Sequence, residues 1–562
     1  MPVINVLPEN LINQIAAGEV VERPASCVKE LLENSIDAEA RNIHIEIENG
    51  GKTYIKVVDD GFGMDKKDAK MCFSRHATSK ITSQEDLARI DSMGFRGEAL
   101  ASIASVSHLK LQTKKRGEMV GTLVVMEGGR LTKYEECAAR EGTQIEIKNL
   151  FANTPARLKY LKAETTEFQN VLSFVTGIAL SHPWLAIKLL HNGKPILDLP
   201  GGQSPLDRVR YVLGRETADN VIPIFHAGVS MKIEGYLGKP ALARSNSDHQ
   251  YISVNNRPVQ NAAVAFAVKD SFKTLLPHGK YPLFVINIGL DPTQVDVNVH
   301  PRKLEIKFLN QQEVFSKVRG TVSASLDKFM LAPKITGMPT GVPQQSQTQE
   351  TMGFSAQFAA IPQERDHQSI QMTPVAQIAN SYIIAQDEEG LLLIDQHAAH
   401  ERVMYERLMR EYKEKSTISS QPLLLPVNID LDPKDAEILN GNLKHLEELG
   451  FAIEPFSGNT FAVNAVPSPL STNEDAGEVL RGLVDDIKDS TALSNVQGRK
   501  EELLNYIACR SAIKFGQRLS YEEQVRLIYD LEHTEKRFTC PHGRPTMIQL
   551  TFDELEKRFH RK

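Results

Sequence analysis

Between Pro333 and Met372 the chain loses the marks of a packed structure: eight Gln and four Pro stand among Thr, Ser and Gly, with no sustained apolar period. Such a composition cannot bury enough side-chain surface to offset the entropy of ordering its backbone. The segment therefore reads as a flexible linker, and the chain must fold as separate bodies on either side of it. As a flexible coil, about 40 residues span roughly 35 Å r.m.s., and at most about 140 Å when extended. Two globular halves joined in this way can separate and dock again.

At 562 residues the chain is long enough for three or four domains. A content of 41% hydrophobic and 24% charged residues is that of ordinary soluble globular protein. The net charge of -6 provides no overall basic field, so any binding of nucleic acid must rest on local patches. Cysteines at 27, 72, 137, 509 and 540 are odd in number and scattered, which argues against a disulfide framework and suits a reducing cytoplasm. The first twenty residues lack the basic and apolar regions of a secretory signal, and no apolar run approaches the ~18 residues of a membrane span. Strand-like and helical patterns alternate to about Pro200, and a second set begins near Gly202. The expected division is 1–202, 203–332, the linker 333–372, and a mixed strand and helix domain at 373–562.

In the first division, Pro24 suits the first turn of a helix whose apolar face is Val28, Leu31, Leu32 and Ile36. Glu30, Asn34 and Asp37 fall on another stripe of that helix. Alone, such a stripe is usually a solvated face, but an acidic base and an amide there can hold a water and part of a Mg²⁺ oxygen shell. The run from Thr53 to Met64 predicts a strand on which Ile55, Val57 and Asp59 point the same way. A carboxylate among apolar neighbours needs a donor. An adenine amino group is one such donor, with Gly61 and Gly63 allowing the backbone to approach the base. Further on, GFRGEAL at 94–100 is a glycine pair opening into a helical period, which lets backbone N–H groups face phosphate.

The last division carries DQHAAHE at 395–401 after the strand-like GLLLI at 390–394, and CPHGRP at 540–545. His397 and Glu401 are four apart and share a helix face, while Cys540 and His542 alternate along an extended segment. A His, carboxylates and a Cys-x-His supply a plausible donor set for a divalent metal. Any one of these groups by itself is more often a satisfied core or capping residue.

Taken in order, ELLEN at 30–34, DDGFG at 59–63, RHATSK at 75–80, GFRGEAL and GTQIEI at 142–147 resemble the ATP-binding domain of the GHKL superfamily. RHATSK, GFRGEAL and NLFANTPARLKYL at 149–161, with the DQHA and CPHGRP segments, resemble the bacterial, endonuclease-type members of the MutL mismatch-repair family. The resemblance covers essentially the whole chain outside the linker. It implies an α+β multidomain architecture: a GHKL (Bergerat) ATPase α/β sandwich, a transducer like ribosomal protein S5 domain 2, the linker, and an α/β dimerisation and endonuclease domain. It implies that Glu30 is the base that activates water for ATP hydrolysis, and that Asn34 holds the Mg²⁺ on the phosphates. Asp59 would read adenine with Thr143 in support. Gly61, Gly63, Thr78, Ser79, Lys80, Gly94, Arg96 and Gly97 would line the nucleotide and its lid, and Lys303 in VHPRKLEIKF would reach the γ-phosphate. Asp395, His397, Glu401, Cys509, Cys540 and His542 match the metal-centre positions, with Asp395 and Glu401 catalytic and Mn²⁺ or Zn²⁺ bound. Glu406, five residues beyond Glu401, points to a different helix face and implies a structural role. Arg257 matches a basic residue implicated in DNA contact. Gln421, Leu424 and Pro426 in QPLLLP resemble a β sliding-clamp binding motif, for which a buried strand is the plain alternative.

The function implied is an ATP-gated homodimeric DNA clamp with latent nicking activity. It would act after MutS, together with the β clamp, in the cytoplasm at the nucleoid and away from membranes. The rival is an ATP-dependent scaffold that recruits a separate endonuclease; members of that kind lack the DQHA and CPHGRP residues.

Overall fold

The structure, a computed structural model, describes residues 18, 20–80, 92–94, 97–272, 275–276, 280–296, 306–331, 372–470, 476–490, 496–514, 516–542, 544–559 and 561. The segment read as linker, together with Arg96 and Lys303, lies outside the described residues apart from Met372. Two compact units are present. The first comprises Met1–Met330 with Asn428–Asn442 and Glu454–Ala462, and the second Leu331–Val427 with Leu443–Ile453 and Val463–Lys562. The boundary expected at 202/203 therefore falls inside one unit.

The first unit begins with helix α1 (Pro24–Asp37), which has Pro24 at its start and Cys27, Val28, Leu31 and Leu32 fully or almost fully buried. Proline costs nothing there because the first N–H groups of a helix have no internal partner. The strands are β1 (Asn42–Glu48), β2 (Tyr54–Asp59), β3 (His108–Lys114), β4 (Gly121–Glu127), β5 (Arg130–Cys137), β6 (Gly142–Lys148), β7 (Ala186–His191) and β8 (Lys194–Leu199). They form one sheet in the order β5-β4-β3-β6-β2-β1-β7-β8. Only the β1/β7 pairing within it is parallel. Ile43, Ile45 and Ile47 alternate with more exposed residues along β1, so one face is apolar. That face meets α1 and the helix α3 (Glu164–Ser181), with Phe168, Val171, Leu172, Val175 and Ile178 in the same core. Truncating a residue such as Leu32 to Ala costs about 2–5 kcal/mol in a core of this kind. A short helix α2 (Ala99–Ser105) follows the second glycine motif.

A second sheet in this unit is ordered β12-β11-β13-β10-β9, from β9 (Val221–Ala227), β10 (Met231–Gly238), β11 (Gln250–Val254), β12 (Arg257–Val259) and β13 (Phe284–Leu290). Its apolar face shares a core with α4 (Ala262–Phe272) and α5 (Gln311–Leu331) through Val264, Val268, Phe272, Val314, Val318 and Val322. A two-stranded pair, β14 (Val295–Asp296) and β15 (Lys307–Phe308), completes it.

In the second unit, β16 (Thr373–Ile378), β17 (Tyr382–Gln386), β18 (Gly390–Asp395) and β22 (Met547–Thr551) form an antiparallel sheet in that order. Helices α6 (Gln396–Lys415) and α8 (Tyr521–Glu532) share its core through Ala399, Leu527, Ile528 and Leu531, and α7 (Val496–Ser511) packs beside α6. A further three-stranded sheet, whose residues are divided between the two units, is ordered β19-β21-β20, from β19 (Ser420–Asp430), β20 (Ala452–Ser457) and β21 (Thr460–Pro467). Among the described residues no helix is long and apolar enough to cross a membrane.

Candidate functional sites

The end of β2 carries Asp59, only 9% exposed. One oxygen accepts from the Gly61 N–H at 2.9 Å and the Thr143 N–H at 3.2 Å, and the other accepts from the Ser35 hydroxyl at 2.9 Å. Burial raises the pKa of this carboxyl, and these three donors pull against it without restoring the usual value. Ser35, on α1, is a partner that the sequence reading missed; its place one residue after Asn34 carries no separate signal. Gly63 has φ 68°, and a Cβ there would collide with the Lys114 carbonyl, so only glycine fits. Thr143 shares a hydroxyl contact with Thr113 at 3.1 Å.

Helix α1 sets the polar stripe beside this carboxylate. Glu30 lies 3.4 Å from the Lys29 ammonium. The Lys80 ammonium donates to Asn34 Oδ1 at 2.8 Å and to Asp37 Oδ2 at 2.5 Å. Asp37 also accepts from the backbone N–H of Met93 at 2.9 Å and of Gly94 at 3.0 Å. Asp37 was visible in the sequence only as the third member of the stripe, with no role attached. Thr78 accepts from the Lys80 N–H at 3.2 Å, while Ser79 is exposed. Gly97, at φ 62°, packs so closely on Ala77 that a Cβ would strike its carbonyl, which brings the two glycine-motif and RHATSK segments together.

Arg257 is turned inward at the start of β12. It is 7% exposed, and its guanidinium donates to the carbonyls of Ser92 at 2.9 Å and Met93 at 2.7 Å. Both bonds are made by the same nitrogen, Nη2.

In the second unit, α6 starts where β18 ends. Asp395 is its N-cap: one carboxylate oxygen accepts from the N–H groups of His397 and Ala398, each at 3.0 Å. One turn on, His397 and Glu401 face Cys509 from α7, and the ligand atoms of the three lie within 4.8 Å of one another. Glu401, Cys540 and His542 make a second group within the same limit, so Glu401 is shared. Asp395 stands outside both groups. As the N-cap, Asp395 spends one carboxylate oxygen on the first N–H groups of α6.

The surroundings fix this donor set. The Ile513 carbonyl lies 2.8 Å from His397 Nδ1, which must carry the proton, so Nε2 is the free ligand atom. The Ile513 N–H donates to His400 Nδ1 at 3.1 Å, and burial depresses the His400 pKa to about 4. Arg402 donates to the Thr539 carbonyl at 2.6 Å, and Glu406 accepts from the Glu535 and Lys536 N–H groups at 2.8 and 3.1 Å. Both contacts tie α6 to the loop that brings in Cys540. Burial opposes the charge of Glu401, but the hydrogen bond and charge of His542 outweigh it and hold the carboxyl below its usual range. The Cys509 thiol is pushed up to about 12 by burial and by Glu401, and Cys540 is raised by burial. Imidazole, thiol and carboxylate donors so collected fit a divalent cation, whose charge would take the thiol protons.

The QPLLLP segment lies on β19, at one edge of its sheet. Leu424 is 103% and Leu425 79% exposed, and Pro426 is exposed, so the segment is not buried within the single chain.

Comparison with known proteins agrees with this geometry. Residues 22–137 match the family model "Histidine kinase-, DNA gyrase B-, and HSP90-like ATPase", residues 209–327 "DNA mismatch repair protein, C-terminal domain", and residues 375–519 "MutL C terminal dimerisation domain". The chain is 37% identical over 614 residues to the DNA mismatch repair protein MutL of Thermoanaerobacter sp. (strain X514), covering 99% of each. It is 34% identical over 648 residues to that of Halothermothrix orenii, and 37% over 567 residues to that of Methanothrix thermoacetophila, with both chains fully covered in each case. A crystal structure of the N-terminal domain of a DNA repair protein shares the fold, with a TM-score of 0.51 at 24% identity, covering 57% of this chain and 99% of that one. Matched end to end by such relatives, and carrying both an ATPase and a dimerisation domain, the chain belongs to the MutL family of DNA mismatch repair proteins.

Proposed function

We propose that this protein is an ATP-gated dimeric DNA clamp with a latent, metal-dependent nicking activity that acts after mismatch recognition by MutS, in the cytoplasm at the nucleoid. The observation that carries the nuclease reading is the convergence of His397, Glu401, Cys509, Cys540 and His542 from three distant stretches of chain around one shared carboxylate.

In the ATPase domain Glu30 would orient and deprotonate the attacking water, and Asp59 would accept the adenine amino group while its other donors hold it in place. Asn34 would hold Mg²⁺, with Thr78, Ser79, Lys80, Gly94 and Gly97 about the phosphates and Thr143 beneath the base. ATP acts as a switch to the extent that it binds the closed arms more tightly than the open ones. In the second unit His397 Nε2, Glu401, Cys509, Cys540 and His542 would hold Zn²⁺ or Mn²⁺. A divalent ion there supplies a water acidified toward neutral pH and a counter-charge for phosphodiester oxygens. Asp395, one of whose oxygens caps α6, would join them as a catalytic residue of that centre. Gln421, Leu424 and Pro426 would engage the β clamp as an extended peptide; two free leucines on an edge strand support this.

Closed-circular plasmid incubated with the full-length protein and Mn²⁺ tests the proposal, with Glu401→Ala, Glu30→Ala and Leu424→Ala alongside and β clamp present or absent. Nicking by wild type and Glu30→Ala, its loss in Glu401→Ala, and loss of clamp stimulation alone in Leu424→Ala are expected. Folded wild type that nicks no better than Glu401→Ala would instead make the protein a scaffold for a separate endonuclease.

A further inference from the structure

The burial of Arg257 gives it a role within the first unit. Its position is built by a hairpin turn in which Asn255 and Asn256 both take positive φ, 50° and 61°, the backbone that a two-residue turn of this hand requires. The turn is anchored to β13: Asn255 Oδ1 accepts from the Leu290 N–H at 2.9 Å, and the Asn287 amide donates to Asn256 Oδ1 at 2.9 Å. Arg257, the first residue of β12, is thereby held rigidly to the second sheet, and it grips the carbonyls of Ser92 and Met93.

Met93 is gripped from both sides. Its N–H goes to Asp37 on α1 and its carbonyl to Arg257, while Gly94 and Lys80 reach the same Asp37 carboxylate. A contiguous polar chain therefore runs from Asn34 through Lys80 and Asp37 to Met93, and from there to Arg257. One end touches the amide expected to meet the nucleotide's cation, and the other end is the second sheet. The Lys80 ammonium sits on Asn34 Oδ1 and pairs with Asp37, so a cation arriving at that amide competes with it and loosens its ion pair with Asp37. The Ser92–Gly94 peptides follow, because Asp37 is their acceptor.

We infer that Arg257 is a positioning residue that transmits nucleotide occupancy, through the Ser92–Gly94 peptides, to the second sheet of the first unit. The inference rests on the nucleotide reading of Asn34, Asp59 and their neighbours. Transmission of this kind is a coupling free energy between two places. It predicts that breaking the relay leaves nucleotide binding in place but silences the response beyond it.

The test uses the full-length protein with the non-hydrolysable analogue AMPPNP, measuring affinity by calorimetry and hydrogen exchange of amides 250–260 with and without the analogue. In wild type the analogue is expected to change exchange in that hairpin by at least about fivefold. Arg257→Ala should bind the analogue as tightly as wild type and lose that change. Arg257→Lys, which keeps a cationic donor but sets it at a different reach from Nη2, should recover part of it. A wild-type response in Arg257→Ala overturns the inference, and so does a loss of response that merely parallels a loss of affinity. Should Arg257→Ala not fold, Arg257→Lys decides alone: a reduced response at unchanged affinity supports the relay, and a full response overturns it. Wild type that fails to bind AMPPNP overturns the nucleotide reading itself, and the relay with it.

Discussion

Glu401 Oε1 lies 2.8 Å from Nδ1 of His542, a contact between the first turns of α6 and a loop that arrives only at the end of the chain. The hydrogen bond raises the pKa of His542 and, against burial, lowers that of Glu401, so each favours the other's charged form. In the proposed centre His542 would be both a ligand and the partner that favours the ionised form of the shared carboxylate. Replacing it with Ala is expected to weaken binding of a divalent ion at least about tenfold, as loss of a supporting ligand partner does elsewhere. Titration with Zn²⁺ against a chromophoric chelator measures this.

Asp395 gives a separate expectation through its capping of α6. Asn caps a helix about as well as Asp, whereas Ala leaves the His397 and Ala398 N–H groups without their acceptor. Asp395→Ala should destabilise the second unit by about 1 kcal/mol, and Asp395→Asn by much less. Denaturant melts of the two variants, with metal content measured in parallel, separate the two roles: a metal-free but fully stable Asp395→Asn would show the carboxylate acting as a ligand as well as a cap.

Asp395 and Arg257 also mark where sequence reading stopped. The apolar faces of α1 and β1 follow from period and alternation, because burial on one side imposes both. The His397–Glu401 pair follows from helical spacing in the same way. Whether a side chain spends its hydrogen bonds locally is decided by partners that spacing does not reveal. Asp395 met two N–H groups of its own helix, and Arg257 met carbonyls far upstream in the chain. Cys509 and Ser35 were legible only to the extent that a motif or a neighbour marked them, since their role comes from packing α7 on α6 and α1 on the first sheet.

At Asp59 three donors converge on one buried carboxylate, and an adenine amino group would be a fourth. Asp59→Asn replaces an acceptor oxygen with an amide that must face donors. Adenine-nucleotide affinity is expected to fall at least about tenfold, or ~1.4 kcal/mol. The domain should stay folded, because the amide oxygen can still accept from some of them. Calorimetric titration with ADP reads the change; an unchanged dissociation constant would remove Asp59 from the site.

His182, at the C-terminal end of α3, is buried against the Ile178 carbonyl at 3.2 Å and Trp184. Burial lowers its pKa to about 4 from 6.5. The unfolded chain therefore takes up this proton first as pH falls. Its contribution to stability is intact above about pH 6.5 and is lost on acidification toward pH 4, by at most on the order of 3 kcal/mol. His182→Asn can still donate to Ile178 but does not titrate, so its melting temperature should fall less between pH 7 and 5 than that of wild type. Equal falls would show that other groups govern acid sensitivity.

The claim on which the account turns is that α6 collects a metal centre around Glu401. The direct measurement is the metal content of the full-length protein after dialysis against Zn²⁺ or Mn²⁺ and then metal-free buffer, by plasma mass spectrometry, for wild type and Glu401→Ala of matching circular dichroism. Retention of a divalent ion by wild type and its loss from Glu401→Ala is the predicted result. A wild type that emerges metal-free, or a Glu401→Ala protein that retains as much ion, would contradict it.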